Sequence, residues 1–247
     1  MILAGKKRIV AIIEARMGST RLPGKSMALV LDKPILGHII ERLRNSRFID
    51  DICVATTQKS EDDCISEYAS RAGAKVFRGS SEDVLGRVCG AAESCKADII
   101  VEVTGDMAVV DWNEIDRGIE HYLSEKGWDI VTNVRFPGYP LGVDVQVYSM
   151  ELLNEVSRKT NAQDDREHVT LFLYKNPEKY RAFHLNPNPE HYDPSLRLMV
   201  DYKEDLVFIT KIYENLYQPN PKFALTDIIR LLKRKPELRK FVDKIKV

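Results

Sequence analysis

"IIEARMGSTRLPGKS" (residues 12–26) carries the tail of an apolar run directly into a loop holding Arg16, Arg21 and Lys25, punctuated by Gly18 and Gly24. The run opens at "RIVAII" (8–13), a continuous apolar stretch that reads as a buried strand. A glycine-bearing turn at the carboxyl end of a first strand is where open α/β sheets place their ligands. Glycine lets backbone N–H groups approach an anion while guanidinium and ammonium groups neutralise it, so phosphate binding is the expectation. Solvated surface cations are the plainer alternative, and the position straight after a buried strand weighs against it. Two familiar phosphate loops do not fit. "GKS" (24–26) has the tail of a Walker A loop, but five residues rather than four separate Gly18 from Gly24, and Pro23 precedes the second glycine. The loop also lacks a GxGxxG fingerprint.

Outward from the loop, short β-branched runs alternate with helical patterns, the sequence sign of βαβ units and a mainly parallel sheet. "PILGHIIERLRNSR" (34–47) puts Ile35, Ile39, Ile40 and Leu43 on one helical face. "DICVATT" (51–57), "AKVFRG" (74–79), "DIIVEVTGD" (98–106) and "DIVTN" (129–133) read as strands, with helices at about 60–72, 81–95 and 112–126 between them. Turn chemistry in "VRFPGYPLG", an alternating strand "VDVQVYS" (143–149) and the loop "NPNPEHYDP" (186–194) then break the pattern. Helices from about 203, 224 and 236 close the chain. The expected organisation is one α/β domain over 1–247 with an inserted segment at about 134–195.

The 247 residues carry 37 basic and 37 acidic side chains, so any anion site is local, and neither nucleic acid nor a membrane surface is an expected partner. Four cysteines without a CxxC pair and five histidines without finger spacing suit a reduced, cytoplasmic setting without a zinc site. Glu14 interrupts the first apolar run too early for a signal peptide.

"ARMGSTRLPGK" resembles the signature loop of the sugar-nucleotide cytidylyltransferases, in the branch named for spore coat polysaccharide biosynthesis protein F, and more distantly of CMP-Kdo and CMP-sialic acid synthetases. "FRGSSEDVLGR" (77–87), "VTGD" (103–106), "GVDVQVYS" (142–149), "DDREHVT" (164–170) and "LRLMVDYKEDL" (196–206) resemble further blocks of that branch in the same order. The resemblance implies a Rossmann-like sheet of the nucleotide-diphospho-sugar transferase type, with the inserted segment building a homodimer. It also implies Mg²⁺-dependent transfer of CMP from CTP to a sugar hydroxyl, with pyrophosphate leaving; an acidic sugar, such as a 2-keto-3-deoxy or nonulosonic acid, is the expected acceptor.

By the same resemblance Arg16 and Lys25 hold the phosphates, Ala15, Gly18 and Ser19 lie along the same oxygens, and Arg21 either joins them or clamps the loop. Thr104 and Gly105 lead into Asp106, which would share the metal with Asp201. Each acid follows an apolar strand, although Asp201 could instead cap the helix starting near 203. Thr56, Arg78 and Ser81 end strands two and three and are candidates for the cytosine or ribose, with Arg87 reaching the same crevice or a salt bridge on its helix. Asp144, Arg166, Glu167 and His168 are the acceptor candidates, with an ordinary acidic helix start as the alternative for "DDREH". One block departs: the branch carries a Cys-Pro or Glu-Pro pair after "GD", and this chain reads "GDMAVVD" (105–111). That puts the usual acceptor in doubt and leaves a phosphonate or plain hydroxyl open. Another nucleoside triphosphate, or a catalytically silent nucleotide-binding module, are the competing functions.

Overall fold

A computed structural model describes residues 6–125, 127–134 and 137–242. Lys126 of the expected fourth helix and Arg135 and Phe136 of the turn stretch lie outside the described residues. The amino-terminal half runs β1 (Ile9–Glu14), β2 (Leu29–Val30), β3 (Lys33–Pro34), α1 (Ile35–Leu43), β4 (Asp51–Thr57), α2 (Asp63–Arg71), β5 (Lys75–Gly79), α3 (Val84–Ser94), β6 (Ile99–Thr104) and α4 (Trp112–Ser124). It continues with β7 (Ile130–Thr132), β8 (Gln146–Ser149), α5 (Met150–Lys159), α6 (Gln163–Glu167), α7 (Leu171–Lys175), β9 (Ala182–His184), α8 (Lys203–Leu216) and α9 (Leu225–Arg234).

Seven strands form one sheet in the order β5-β4-β1-β6-β8-β7-β9. β1 pairs in parallel with both β4 and β6, and β8 alone runs against its neighbours. The period of two in β1 splits its apolar side chains between layers: Ile9, Ala11 and Ile13 pack with α1, α4, α8 and α9, while Val10 and Ile12 pack with α3 and α5. Burial on both faces explains why this strand reads as an unbroken apolar run. The segment 134–195 contributes β8 and β9 to the main sheet, so it is woven into the core.

"VDVQVYS" pairs only from Gln146 onward because the Asn133 side chain takes the place of a neighbouring strand. Its Nδ2 donates to the Val143 carbonyl at 2.7 Å and its Oδ1 accepts from the Val145 N–H at 2.7 Å. Val143 and Val145 point into the core, which turns Asp144 the other way. Among the described residues no helix is long and apolar enough to cross a membrane.

Candidate active site

The register of the central strands assembles the site. Glu14 on β1 lies opposite Thr104 on β6, so the loop after β1 meets the turn after β6 at one edge of the sheet. The Gly105 N–H donates to the Glu14 carbonyl at 2.8 Å, and a Cβ at Gly105 would sit 2.7 Å from that oxygen and 2.8 Å from Ser26 Oγ. Any larger residue at 105 would wedge the two loops apart. Gly24 has φ +74°, the left-handed region that lets the chain turn into the short helix carrying Lys25.

These loops enclose a cleft of about 350 Å³ lined by Arg16, Arg21, Lys25, Arg87, Asp106 and Asp201, among others. Lys25 Nζ donates to Asp106 Oδ2 at 2.5 Å and to Asp201 Oδ1 at 2.7 Å, so acids 95 positions apart in sequence share one cation. Burial pulls the Lys25 pKa down, but Asp106 and then Asp201 outweigh it and hold it above the ordinary value. Burial likewise pushes Asp201 up, while Lys25, then Arg21 and Arg197, hold its carboxyl below the usual range. The helix-capping alternative for Asp201 falls to Asp205, whose Oδ2 accepts from the Asp201 and Tyr202 N–H groups and so leaves the Asp201 side chain free to face Lys25. Asp106 is oriented by Thr104, whose hydroxyl donates to it at 2.6 Å.

Other candidates arrive differently. Arg16 donates to the Ser81 carbonyl at 3.2 Å and reaches Glu167 at 3.4 Å, with its side chain 39% exposed where it lines the cleft. Arg21 pairs with Asp201 at 3.0 Å and lies over the Tyr202 ring, so it both lines the cleft and clamps the loop. Ala15, Gly18 and Ser19 line the cleft too. The Ser19 N–H is spent on the Met17 carbonyl within the turn, leaving its hydroxyl as the group it offers. Arg87 is buried, lines the cleft and donates to the Ala55 and Ser80 carbonyls; its burial lowers its pKa.

Thr56, Arg78, Arg166 and Ser81 are not brought to the cleft. Thr56 is fully buried, and its hydroxyl has no hydrogen-bond partner. Arg78 is consumed by the Thr57 and Lys59 carbonyls and Asp63, and Arg166 grips Asp83, which caps α3. Ser81 lies at the rim with Gln58, Lys59 and Gly79 around a shallower depression.

A second cavity of about 310 Å³ shares Glu14, Thr104, Glu167 and His168 with the first and adds Glu102, Asp144, Gln146 and Tyr174. Asp144 thus lines a cleft, on the face of its strand opposite the buried Val143 and Val145. Burial, followed by the charge of Asp106, raises its pKa from 3.8 to about 6. Sequence reading passed over Glu14 and Glu102, although an acid inside "DIIVEVTGD", a strand otherwise apolar, is a detectable signal. Glu102 accepts from Tyr148 at 2.5 Å and Gln146 at 2.9 Å, and burial lifts it to about 7. A raised carboxyl pKa contributes stability below the unfolded value and loses it as pH rises through the folded one. Asp144→Asn is therefore expected to be more stable than the parent by about 1–2 kcal/mol at pH 8 and to lose that advantage by pH 4, read by urea melts at both pH values.

The departure "GDMAVVD" has a structural account. Met107, Ala108, Val109 and Val110 are all buried, and the Ala108 N–H donates to the Asp106 carbonyl at 3.0 Å, a bond proline at 108 would forfeit. The turn is held by core packing and backbone bonds in place of a proline.

The sequence matches the family model described as cytidylyltransferase over residues 10–225. It is 34% identical to spore coat polysaccharide biosynthesis protein SpsF of Bacillus subtilis over 235 residues, covering 93% of this chain and 95% of that one. It is also 35% identical to the 3-deoxy-manno-octulosonate cytidylyltransferase of Trichlorobacter lovleyi, over 122 residues spanning 49% of this chain and 47% of the relative. The structure of a cytidylyltransferase from Leptospira borgpetersenii serovar Hardjo-bovis superposes with a TM-score of 0.90 at 31% identity, covering 98% of this chain and 99% of that one. The glycine-punctuated loop, the mainly parallel sheet and the cation-and-carboxylate cleft at its edge are thus those of a nucleotidyltransferase, and the chain belongs to the cytidylyltransferase family.

Proposed function

We propose that the protein transfers CMP from CTP to a sugar hydroxyl, releasing pyrophosphate, and that the larger cleft holds the nucleotide. The observation that carries this reading is the meeting of Lys25 with Asp106 and Asp201 in a cleft that Arg16 and Arg21 also line. A triphosphate needs several positive groups fixed in advance, because catalysis of in-line transfer rests on positioning and charge neutralisation. Arg16, Arg21 and Lys25 bind and orient the phosphates, with the Ser19 hydroxyl beside them.

Whether a divalent ion fits is tested by Lys25 itself: the two carboxylates already converge on one cation, at 2.5 and 2.7 Å. Among the described residues no group of three or more His, Cys, Asp or Glu side chains forms a self-sufficient cage. A pair of carboxylates completed by substrate phosphates is the usual arrangement for Mg²⁺. Asp106 and Asp201 would hold the ion, which supplies charge neutralisation on the phosphate oxygens.

The smaller cavity, joined to the first through Glu14, Thr104, Glu167 and His168, receives the acceptor. The names of the octulosonate relatives support the acidic sugar expected from the sequence. A polysaccharide-building role follows the name of the Bacillus relative. The homodimer and cytoplasmic setting belong to the same reading, the first of them open to light scattering.

Thermal shift with each nucleoside triphosphate and Mg²⁺ tests the nucleotide assignment. CTP is expected to raise the melting temperature by about 5 °C or more at saturation, with UTP and GTP well behind. Stabilisation by UTP or GTP with no response to CTP would falsify the cytidylyl reading.

A further inference from the structure

Arg197 stands behind Asp201, outside the lining of the cleft, and its side chain is only 7% exposed. Backbone pairing sets its place: the Leu141 N–H donates to the Leu196 carbonyl at 2.9 Å, and the Leu198 N–H to the Leu141 carbonyl at 2.7 Å. The guanidinium then forks. Its Nε donates to Asp205 Oδ1 at 2.8 Å, and its Nη2 to Asp205 Oδ2 at 3.1 Å and Asp201 Oδ2 at 3.0 Å. Asp205 is itself fixed, because its Oδ2 also accepts from the Asp201 and Tyr202 N–H groups at the start of α8.

The two oxygens of Asp201 therefore differ. Oδ2 meets two guanidiniums, Arg197 and Arg21, each at 3.0 Å, while Oδ1 meets the Lys25 ammonium that Asp106 shares. The guanidiniums differ as well. Both lie over the Tyr202 ring, at 5.5 Å for Arg21 and 5.7 Å for Arg197, but the Arg21 side chain is 54% exposed and that of Arg197 is buried.

Resting on the reading that Asp106 and Asp201 hold the divalent ion, we infer that Arg197 is a positioning residue: it pins Oδ2 of Asp201 so that Oδ1 is turned to the metal position. It keeps that orientation when Arg21 leaves Asp201 for a phosphate. A planar fork gripped by Asp205 has one geometry, whereas a lysine ammonium is a point charge on a flexible stem and cannot reproduce it. The spacing of Arg197, Asp201 and Asp205 within "LRLMVDYKEDL" thus serves one carboxylate.

The test uses the full chain with saturating CTP, no acceptor, and Mn²⁺ as the metal probe, its binding read from water-proton relaxation. Calorimetry of CTP binding in EDTA reports on the cationic cleft separately. Arg197→Lys is expected to weaken Mn²⁺ binding by about tenfold, as changing a group that orients a metal ligand typically does, while CTP affinity in EDTA stays near that of the parent. Asp205→Asn, which loosens the far end of the fork, is expected to act in the same direction and serves if Arg197→Lys does not melt cooperatively. Mn²⁺ binding unchanged in both variants but weakened in Asp201→Asn overturns this inference alone. Parallel loss of Mn²⁺ and CTP affinity would make Arg197 a general support of the cleft and overturns it too. Mn²⁺ binding left intact by Asp201→Asn, or a parent that binds no CTP with or without Mn²⁺, defeats the function proposed above and this inference with it.

Discussion

Replacing Lys25 by alanine is expected to lower pyrophosphate release by roughly two to three orders of magnitude, the usual cost of losing one preorganised charge at a developing anion. The structure shows Lys25 bridging Asp106 and Asp201, and the proposed function gives it a second task, binding phosphate when nucleotide is present. Removing the ammonium leaves two carboxylates facing one another, with Asp201 still paired to Arg21 and Arg197 but Asp106 keeping only the Thr104 hydroxyl. The variant is therefore expected to fold but to melt several degrees lower in EDTA, and to recover part of that loss in millimolar Mg²⁺. Near-normal turnover would remove Lys25 from the mechanism.

Asp106→Asn keeps the size of the side chain and an oxygen for the Thr104 hydroxyl, but removes the charge. Turnover is expected to fall by about 10²–10³. The Mg²⁺ concentration for half-maximal rate should rise, because one hard anionic ligand is missing. The parent and variant are compared by steady-state pyrophosphate release across a Mg²⁺ titration. Stability should change little in metal-free buffer, since Asp201 alone still pairs with Lys25 at 2.7 Å. A variant with unchanged rate and unchanged Mg²⁺ dependence would show that Asp106 only shapes the turn.

Much of this arrangement was legible in the chain. β1 could be read because a strand buried on both faces has to be apolar throughout. The loop after it stood out because cations and glycines rarely follow such a strand without an anion to hold. Asp106 was marked by its position at the end of β6, and Asp201 by closing the apolar run "LRLMVD" (196–201), which was expected as a strand but is irregular chain in the structure, tied to Leu141 by a single bridge at Arg197. What could not be read was direction. Arg78 and Arg166 share composition and neighbourhood with Arg16, yet their side chains are drawn to Asp63 and Asp83, partners fixed only by packing. Glu102 was passed over because its reason lies across the sheet, in Tyr148 and Gln146 of β8.

The internal cation between Asp106 and Asp201 has a chemical cost for stray ions. Copper and zinc outbid magnesium at most exposed carboxylate pairs, following the ordinary order of affinities for divalent metals. A tethered ammonium competes at every moment and at no entropic cost of encounter, so a free ion has to displace it unaided. An ion carried by a nucleotide would come with phosphate anions able to pair with the Lys25 ammonium in place of Asp106 and Asp201. If the proposed metal-dependent transfer holds, the lysine would favour a metal that arrives with the substrate over one that arrives alone.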